Sequence, residues 1–394
     1  MKILQINASY KPAYIYGGPA LSVSRLCEAL VRAGAELEVL TTTANGKDEL
    51  DVKVDQTVEI DGVQVTYFKR VTKDHTHFSP TLLRSLKKKL QELRPKQHQA
   101  INCIVHIHVW WNLVSVFSCL LARLNKTPVI LTPRGTLSNY SFGNRNAGIK
   151  YYIHRFIGKS LLEYCHIQVT SKKEEQAVLA LVKPKSITVI PNFVYLPEME
   201  TGQNNNSPAN TDSHTIKLLF LSRVEEKKGL DLLFSALAEC NFNFQLTIAG
   251  TGNPNYITYL KDLLKQLKIE AYIEWIGQQN QKEKWDVLQR HDLMILPSHD
   301  ENFANVVIEC LATGTPVLIS NKVGLADYIQ SQNFGWICNV DKDSIKENLL
   351  LFKAQPQKAA LIRQIAPEKI RVDFDEKQLV KQFLKLYSDI SKAE

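Results

Sequence analysis

The sequence predicts an α/β protein of two domains, each a parallel sheet wrapped by helices. Apolar runs alternate with amphipathic segments from residue 2 to residue 190. A polar stretch over 197–215, PEMETGQNNNSPANTDSHT, then shows no apolar periodicity, and the alternation resumes at Lys217. At 394 residues the chain is too long for one ordinary core. The expected division is therefore a first domain over 1–196, a linker over 197–215 and a second domain over 216–375, followed by a closing amphipathic helix over 376–392.

In the first domain the strands are expected near 2–8, 36–42, 63–68, 101–108, 129–133, 166–170 and 186–190. Tyr16-Gly17-Gly18-Pro19 precedes a helix with Val23, Leu26, Cys27 and Leu30 on one face and Gly34 as its stop, and Pro19 suits N1. The paired glycines either let the backbone approach a ligand or simply serve a turn at positive φ. The fourth strand ends in His106-Ile107-His108-Val109-Trp110-Trp111. The two histidines share a face, but no third metal ligand stands at suitable spacing, so a core or cleft-wall role fits them better. The fifth strand ends in Thr132-Pro133-Arg134-Gly135-Thr136, with Arg145, Lys150, His154 and Arg155 beyond it. Strand ends of a doubly wound sheet line the ligand crevice, which makes Arg134 a site candidate.

In the second domain Lys217–Arg223 reads as a strand and Gly229–Ala238 as a helix, with Arg223 and Lys228 bracketing the turn between them. Two such cations can neutralise a diphosphate. Strands follow at 244–249, 272–276, 292–296 and 316–320, and Gly250, Gly252 and Gly277 stand at strand ends on the same edge. Between the last two strands lies Ser298–Pro316, SHDENFANVVIECLATGTP. Asn305 is a suitable N-cap, and Gly314 is a natural stop before Pro316. The first amides, Val306 to Ile308, are expected to lack carbonyl partners, and such a helix start attracts anions. Glu309, one turn in, leans toward the same mouth. A carboxylate there suits hydroxyl groups, and a ribose carrying a diphosphate presents both chemistries; dipole complementation or simple solvation of Glu301 and Glu309 is the plainer alternative.

Composition narrows the class. An apolar fraction of 44% is that of a globular protein, no run of about 18 apolar residues exists, and the first residues read as a strand rather than a signal peptide. Seven scattered cysteines without a C-x-x-C pair suit a reducing cytoplasm and no zinc site. Residues 1–196 carry a net charge of +12 and residues 197–394 a net of −4, so the first half is the one suited to an anionic partner. Arg84, Lys87, Lys88, Lys89 and Arg94 lie on a helix with a leucine stripe, which reads as an ordinary surface helix before an anionic-lipid contact. No aromatic-studded basic strand or recognition motif points to nucleic acid. Asp341-Lys342-Asp343 is explained by helix capping and Asp373-Phe374-Asp375 by the link to the last helix, so no metal site is expected at either.

Taken together, the Gly17-Gly18 turn, Pro191-Asn192, Arg223, Lys228-Gly229, Gly250-Thr251-Gly252 and above all Glu301 and Glu309 resemble the retaining, nucleotide-sugar-dependent glycosyltransferases of family 4, or group 1. The resemblance covers nearly the whole chain. It implies the GT-B fold: two facing Rossmann-like domains, with a C-terminal helix (376–392) returning to complete the first. It also implies sugar transfer from a nucleoside diphosphate to a hydroxyl with the anomeric configuration kept and no metal or other cofactor. The resemblance assigns Arg223 and Lys228 to the diphosphate, Glu301 to the region of the donor sugar and Glu309 to the ribose. The backbone of Phe303, Ala304, Asn305 and Val306 would touch sugar and phosphate, and Gly17 and Gly18 would close on the diphosphate.

Many relatives have Glu-Gly-Phe-Gly where this chain has Glu301-Asn302-Phe303-Ala304, so the space beside the donor sugar is expected to differ. Where many have His-Gly after the fifth strand, here stands Arg134-Gly135, as in a bacterial polysaccharide subset with a Pro-Arg-Gly turn. His108, Arg134, Arg145 and Lys150 are therefore placed on the acceptor side, with Arg134 meeting an acceptor phosphate. The overall expectation is a cytoplasmic, peripheral glycosyltransferase of surface polysaccharide synthesis working on a glycan or lipid-diphosphate acceptor at the inner face of a membrane. A nucleotide-sugar 2-epimerase and a non-catalytic sugar-nucleotide-binding partner are the alternatives.

Overall fold

The computed structural model describes residues 1–94, 102–138, 140–141, 154–196 and 215–393. It divides into one unit of Met1–Phe193 with Glu376–Glu394 and a second of Val194–Asp375. The expected linker, save Thr215 at its end, lies outside the described residues apart from the exit turn before it.

The first unit is built on β1 (Lys2–Asn7), β2 (Leu37–Thr42), the short pair β3 (Ala44–Asn45) and β4 (Asp48–Glu49), β5 (Thr57–Ile60), β6 (Val63–Phe68), β7 (Cys103–His108), β8 (Val129–Thr132), β9 (His166–Val169) and β10 (Ser186–Val189). Eight of these form one sheet in the order β10-β9-β8-β7-β1-β2-β6-β5, parallel throughout except for β5 against β6. The strand at 57–60 is an addition to the expected set. It arises from an Asp-Gly hairpin in which Asp61 and Gly62 both take positive φ, 51° and 81°. Helices α1 (Gly18–Arg32), α2 (Pro80–Glu92), α3 (Leu113–Leu124), α4 (Lys159–Tyr164) and α5 (Lys172–Leu181) connect the strands. Ser79, Asn112 and Ser171 cap α2, α3 and α5 with side-chain oxygens. Pro19 falls at the second helical position of α1, one place later than expected, because Gly18 already has helical geometry.

Alternation along β1 sets the two faces. Leu4 and Ile6 pack with α2, α3 and α4, whereas Ile3 packs with Val23, Leu26 and Leu30 of α1. On the α1 side lies the last helix, Glu376–Ala393, which buries Leu379, Val380, Phe383, Leu386, Tyr387 and Ile390 in this unit. Of the leucine stripe along α2, Leu82, Leu86 and Leu90 are wholly buried and Leu83 and Leu93 partly so, and the helix turns its charged face outward.

The second unit has an all-parallel six-stranded sheet in the order β13-β12-β11-β14-β15-β16. Its strands are β11 (Ile216–Leu221), β12 (Phe244–Ala249), β13 (Ile273–Gly277), β14 (Leu293–Leu296), β15 (Val317–Ser320) and β16 (Gly335–Cys338). The strand at 335–338 is again an addition: four residues at a sheet edge are too few to show periodicity. The helices are α6 (Leu230–Leu237), α7 (Pro254–Gln266), α8 (Gln281–Gln289), α9 (Asn305–Ala312), α10 (Ala326–Gln332), α11 (Lys342–Ala354) and α12 (Pro356–Asp373), which leaves the chain-terminal helix as α13. Strands such as Leu293-Met294-Ile295-Leu296 are buried on both faces, as a parallel sheet requires. Asp341 accepts the Ser344 amide at 2.7 Å and so caps α11. Strand order reverses between β1 and β7 in the first unit and between β11 and β14 in the second. Open α/β sheets keep their ligands at the carboxyl ends of such strands.

Candidate active site

In the second unit the turns after β11 and β14 meet at the switch point. Gly229, at φ 69°, brings its backbone so close to Pro297 that an added Cβ would stand 2.4 Å from that carbonyl oxygen. The His299 amide donates to the Lys227 carbonyl at 2.8 Å and joins the two turns. Glu301 is held by its own backbone: its amide donates to Lys322 at 3.1 Å and its carbonyl accepts from Gly324 at 2.9 Å. The geometry therefore fixes the carboxylate of Glu301 against the ammonium of Lys228, with side-chain exposures of 20% and 6%. Burial by itself pushes the Glu301 carboxyl up. Lys228, Lys227 and Arg223 outweigh that and hold it below its ordinary value. Burial and the neighbouring Lys228 push the Lys227 ammonium down. Arg223 is more than half exposed and pairs with Glu225 at 2.6 Å. Arg223 and Lys228, the cations expected at a diphosphate, are thus each paired with a carboxylate.

Gly250 and Gly252 have a packing reason of their own. A Cβ on either would come within 1.9 Å of a carbonyl oxygen, Ser222 for the first and Val224 for the second. They let the loop after β12 lie against the loop after β11, an arrangement sealed by the bridge between Val224 and Gly252. Gly277 ends β13, two strands from β11, at φ 69°.

At α9 the structure corrects the expected start. The N-cap is Ala304, in the left-handed region at φ 68°, no side-chain oxygen caps the helix there, and Asn305 is its first residue. The Val307 amide donates to the Ala304 carbonyl at 3.0 Å, which removes it from the expected set of open amides. Phe303 turns its ring into the core against Phe374, and Val306 is half-buried. Glu309 is buried and forms an ion pair with Lys284 of α8 at 2.7 Å. Lys284 was not legible as a partner from sequence: it stands 25 positions away, on another helix.

In the first unit Gly17, at φ 65°, is the N-cap of α1, and Gly18 is its exposed first residue. His108 does not face an acceptor. It is fully buried, and its Nε2 donates to Gln5 Oε1 at 2.6 Å. It belongs to a directional chain of hydrogen bonds. Gln5 Nε2 donates to the Tyr387 hydroxyl (3.2 Å), which donates to His106 Nδ1 (2.8 Å). His106 Nε2 donates to Thr132 Oγ1 (2.8 Å), which donates to Gln168 Oε1 (2.6 Å). The Gln168 amide ends the chain on the Ile190 carbonyl at 2.6 Å. Burial pushes His106 down to about 3 and His108 well below its ordinary value, with Arg134 adding to both, so the chain runs on neutral imidazoles. Its role is to seat α13 on the sheet.

Arg134, at φ 52°, folds its guanidinium back onto Ser22 Oγ and Asn192 Oδ1, both at 2.8 Å. Burial brings it down to about 10. It therefore ties Ser22 of α1 to the exit turn Pro191-Asn192, a use the sequence did not suggest. Glu174 braces the same turn, accepting the Gly135 amide at 2.6 Å and the Thr170 amide at 2.8 Å. Arg145 and Lys150 lie outside the described residues.

Residues 16–196 match the family model described as Glycosyltransferase Family 4, and residues 203–369 match Glycosyl transferases group 1. An uncharacterized glycosyltransferase of Methanocaldococcus jannaschii is 27% identical over 359 residues, spanning 88% of this chain and 87% of that protein. A glycogen synthase of Mycobacterium tuberculosis is 25% identical over 355 residues, spanning 86% and 82%. Among solved structures, sucrose-phosphate synthase from Thermosynechococcus elongatus superposes with a TM-score of 0.74 at 19% identity, with full coverage of both chains. Anabaena HepE in complex with UDP-glucose also gives 0.74, at 17% identity, over 99% of this chain and 100% of that one. Two doubly wound units with the last helix returned to the first match the GT-B fold of these structures. The chain belongs to glycosyltransferase family 4, group 1; its two family models between them take in most of its length.

Proposed function

We propose that the protein moves a sugar from a nucleoside-diphosphate-sugar to a hydroxyl acceptor with retention of configuration, in the assembly of a bacterial surface polysaccharide. The observation that carries this reading is the cluster at the second switch point, where Lys228, Lys227, Arg223 and Glu301 share one pair of turns beside α9. When the sugar leaves, negative charge grows on the diphosphate and positive charge on the sugar ring. Fixed cations answer the first without a metal, and the carboxylate of Glu301 suits the second. On this reading Lys228 exchanges Glu301 for a phosphate oxygen when donor binds, Arg223 swings from Glu225 to join it, and Glu309 receives ribose hydroxyls. HepE, which shares the fold, is seen with UDP-glucose, which supports a nucleotide-sugar donor here.

The acceptor is taken to be a glycan or a lipid-linked diphosphate. The charged outer face of α2, with Arg84, Lys87 and Lys88 exposed, and the exposed Arg94 just past its end provide an electrostatic hold on the inner, anionic face of the cytoplasmic membrane. Among the described residues no helix is long and apolar enough to cross a membrane, so such a hold acts at the surface. A thermal-shift screen of UDP-, GDP-, ADP- and dTDP-sugars tests the donor assignment, because a ligand that binds only the folded protein raises its melting temperature. At least one should shift it; no shift with any of them removes the assignment. Incubation with UDP-N-acetylglucosamine alone should leave it unepimerised, and conversion without an acceptor would favour an epimerase.

A further inference from the structure

Resting on that reading, we propose that Lys284 is the positioning residue that presents Glu309 to the ribose, and that it makes the site selective for ribonucleotide over deoxyribonucleotide donors. Lys284 lies in the second turn of α8, with its Nζ 2.7 Å from Glu309 Oε1, and the two side chains are 17% and 11% exposed. The pair is thus shielded enough that its geometry is held rather than averaged over solvent. The lysine is not needed to start its own helix, because Asn280 and Glu283 already form a full capping box there. Its ammonium also stands 5.3 Å from the ring centroid of Trp285, a second contact that limits where it can sit.

A carboxylate offers two oxygens as acceptors. Lys284 engages Oε1, which stops rotation of the group and leaves Oε2 as the oxygen presented to a diol. A ribose brings two adjacent hydroxyl donors, and a 2′-deoxyribose brings one fewer. A carboxylate locked in place discriminates between them more sharply than one free to turn, because removal of a hydroxyl leaves a buried, oriented acceptor without its donor.

The test is calorimetric titration of UDP, GDP and ADP, each paired with its 2′-deoxy counterpart, into wild type, Lys284→Met and Lys284→Arg. For the base that binds best, wild type should prefer the ribonucleotide about tenfold or more. Lys284→Met should bring that ratio to about threefold or less by weakening the ribonucleotide alone, and Lys284→Arg should restore it. If Lys284→Met shows no cooperative melt, Lys284→Gln is read in its place. A ratio unchanged in the variant, with both nucleotides weakened together, would overturn the proposal, since a general packing role weakens both. If wild type binds no nucleotide at all, the donor-site reading falls and the role of Lys284 falls with it. If wild type binds but does not discriminate, only the role of Lys284 and Glu309 falls.

Discussion

Glu301→Gln separates the two demands on the switch-point cluster, because it keeps the shape of the side chain and removes its charge. Lys228 has a side-chain exposure of 6%, so it depends on Glu301, at 20%, for its counter-charge. Removing one partner of a buried pair costs about 3–5 kcal/mol. Glu301 is one-fifth exposed and the amide oxygen still accepts a hydrogen bond, so about 2–3 kcal/mol is the expected loss here. At roughly 2–4 °C per kcal/mol for a domain of this size, the melting temperature should fall by about 4–12 °C. Binding of a diphosphate should move the other way. In wild type Lys228 must leave Glu301 to reach a phosphate, and the freed carboxylate then repels the anion. The variant has neither handicap and should bind UDP or GDP about tenfold more tightly, or about 1.4 kcal/mol. Sugar transfer should nonetheless fall by about 10²–10³-fold, since the charge facing the sugar is gone. Differential scanning calorimetry with and without the diphosphates, followed by turnover, reads all three. A variant that melts like wild type, or binds the diphosphate more weakly, refutes the reasoning.

Ala304→Gly should raise the melting temperature of the second unit. Its backbone is held at φ 68°, where an alanine costs about 1 kcal/mol relative to glycine, so a gain of about 2–4 °C is expected. Tyr387→Phe removes the hydroxyl that bonds His106 and Gln5 in a fully buried setting. It should cost about 1–3 kcal/mol and leave diphosphate binding unchanged, as titration and a melt together would show. Acid should weaken the first unit early. His77 and His106 ordinarily titrate at 6.5, but burial above all holds them at about 4 and about 3. Unfolding therefore takes up protons between those values. Stability is fully present above pH 6.5 and drains as pH falls toward 4 and 3, by about 3 kcal/mol for His77 alone. In the second unit Glu301, held below 4.5, adds a separate loss as pH falls through that lower range. Denaturant midpoints measured from pH 7.5 down to 4.5 should fall steadily below 6.5, and a flat profile to pH 5 would contradict the neutral-histidine network.

Periodicity carried the fold because a buried parallel strand and an amphipathic helix each impose a pattern several residues long. The edges escaped for the same reason. Gly335–Cys338 is too brief to show a pattern, and Thr57–Ile60 announced itself only through Asp61-Gly62, a turn signal not weighed. At the candidate site, sequence order could point to Lys228, Glu301 and Glu309 as chemically suited groups, yet it could not reveal their partners. Lys284 meets Glu309 across two helices, and Arg134 bonds Ser22 and Asn192 from 112 and 58 positions away. His108 shows the limit most clearly. Its place at a strand end suggested a ligand crevice, while the polar residues that bury it, Gln5 and its network, lie on other strands. Ala304 is the reverse case: its departure from the usual glycine was visible in sequence, and the structure supplies the meaning, a left-handed residue without the freedom of glycine.

Binding of a diphosphate through Lys228 at the switch point of the second unit is read out by calorimetric titration of nucleoside diphosphate against the corresponding monophosphate, in wild type and in Lys228→Met, for uridine, guanosine and adenosine. Wild type should prefer one diphosphate over its monophosphate by about tenfold or more, the worth of a charge-assisted contact, and Lys228→Met should erase the preference while still binding the monophosphate. Equal binding of diphosphate and monophosphate in wild type, or a preference that survives the loss of Lys228, would contradict it.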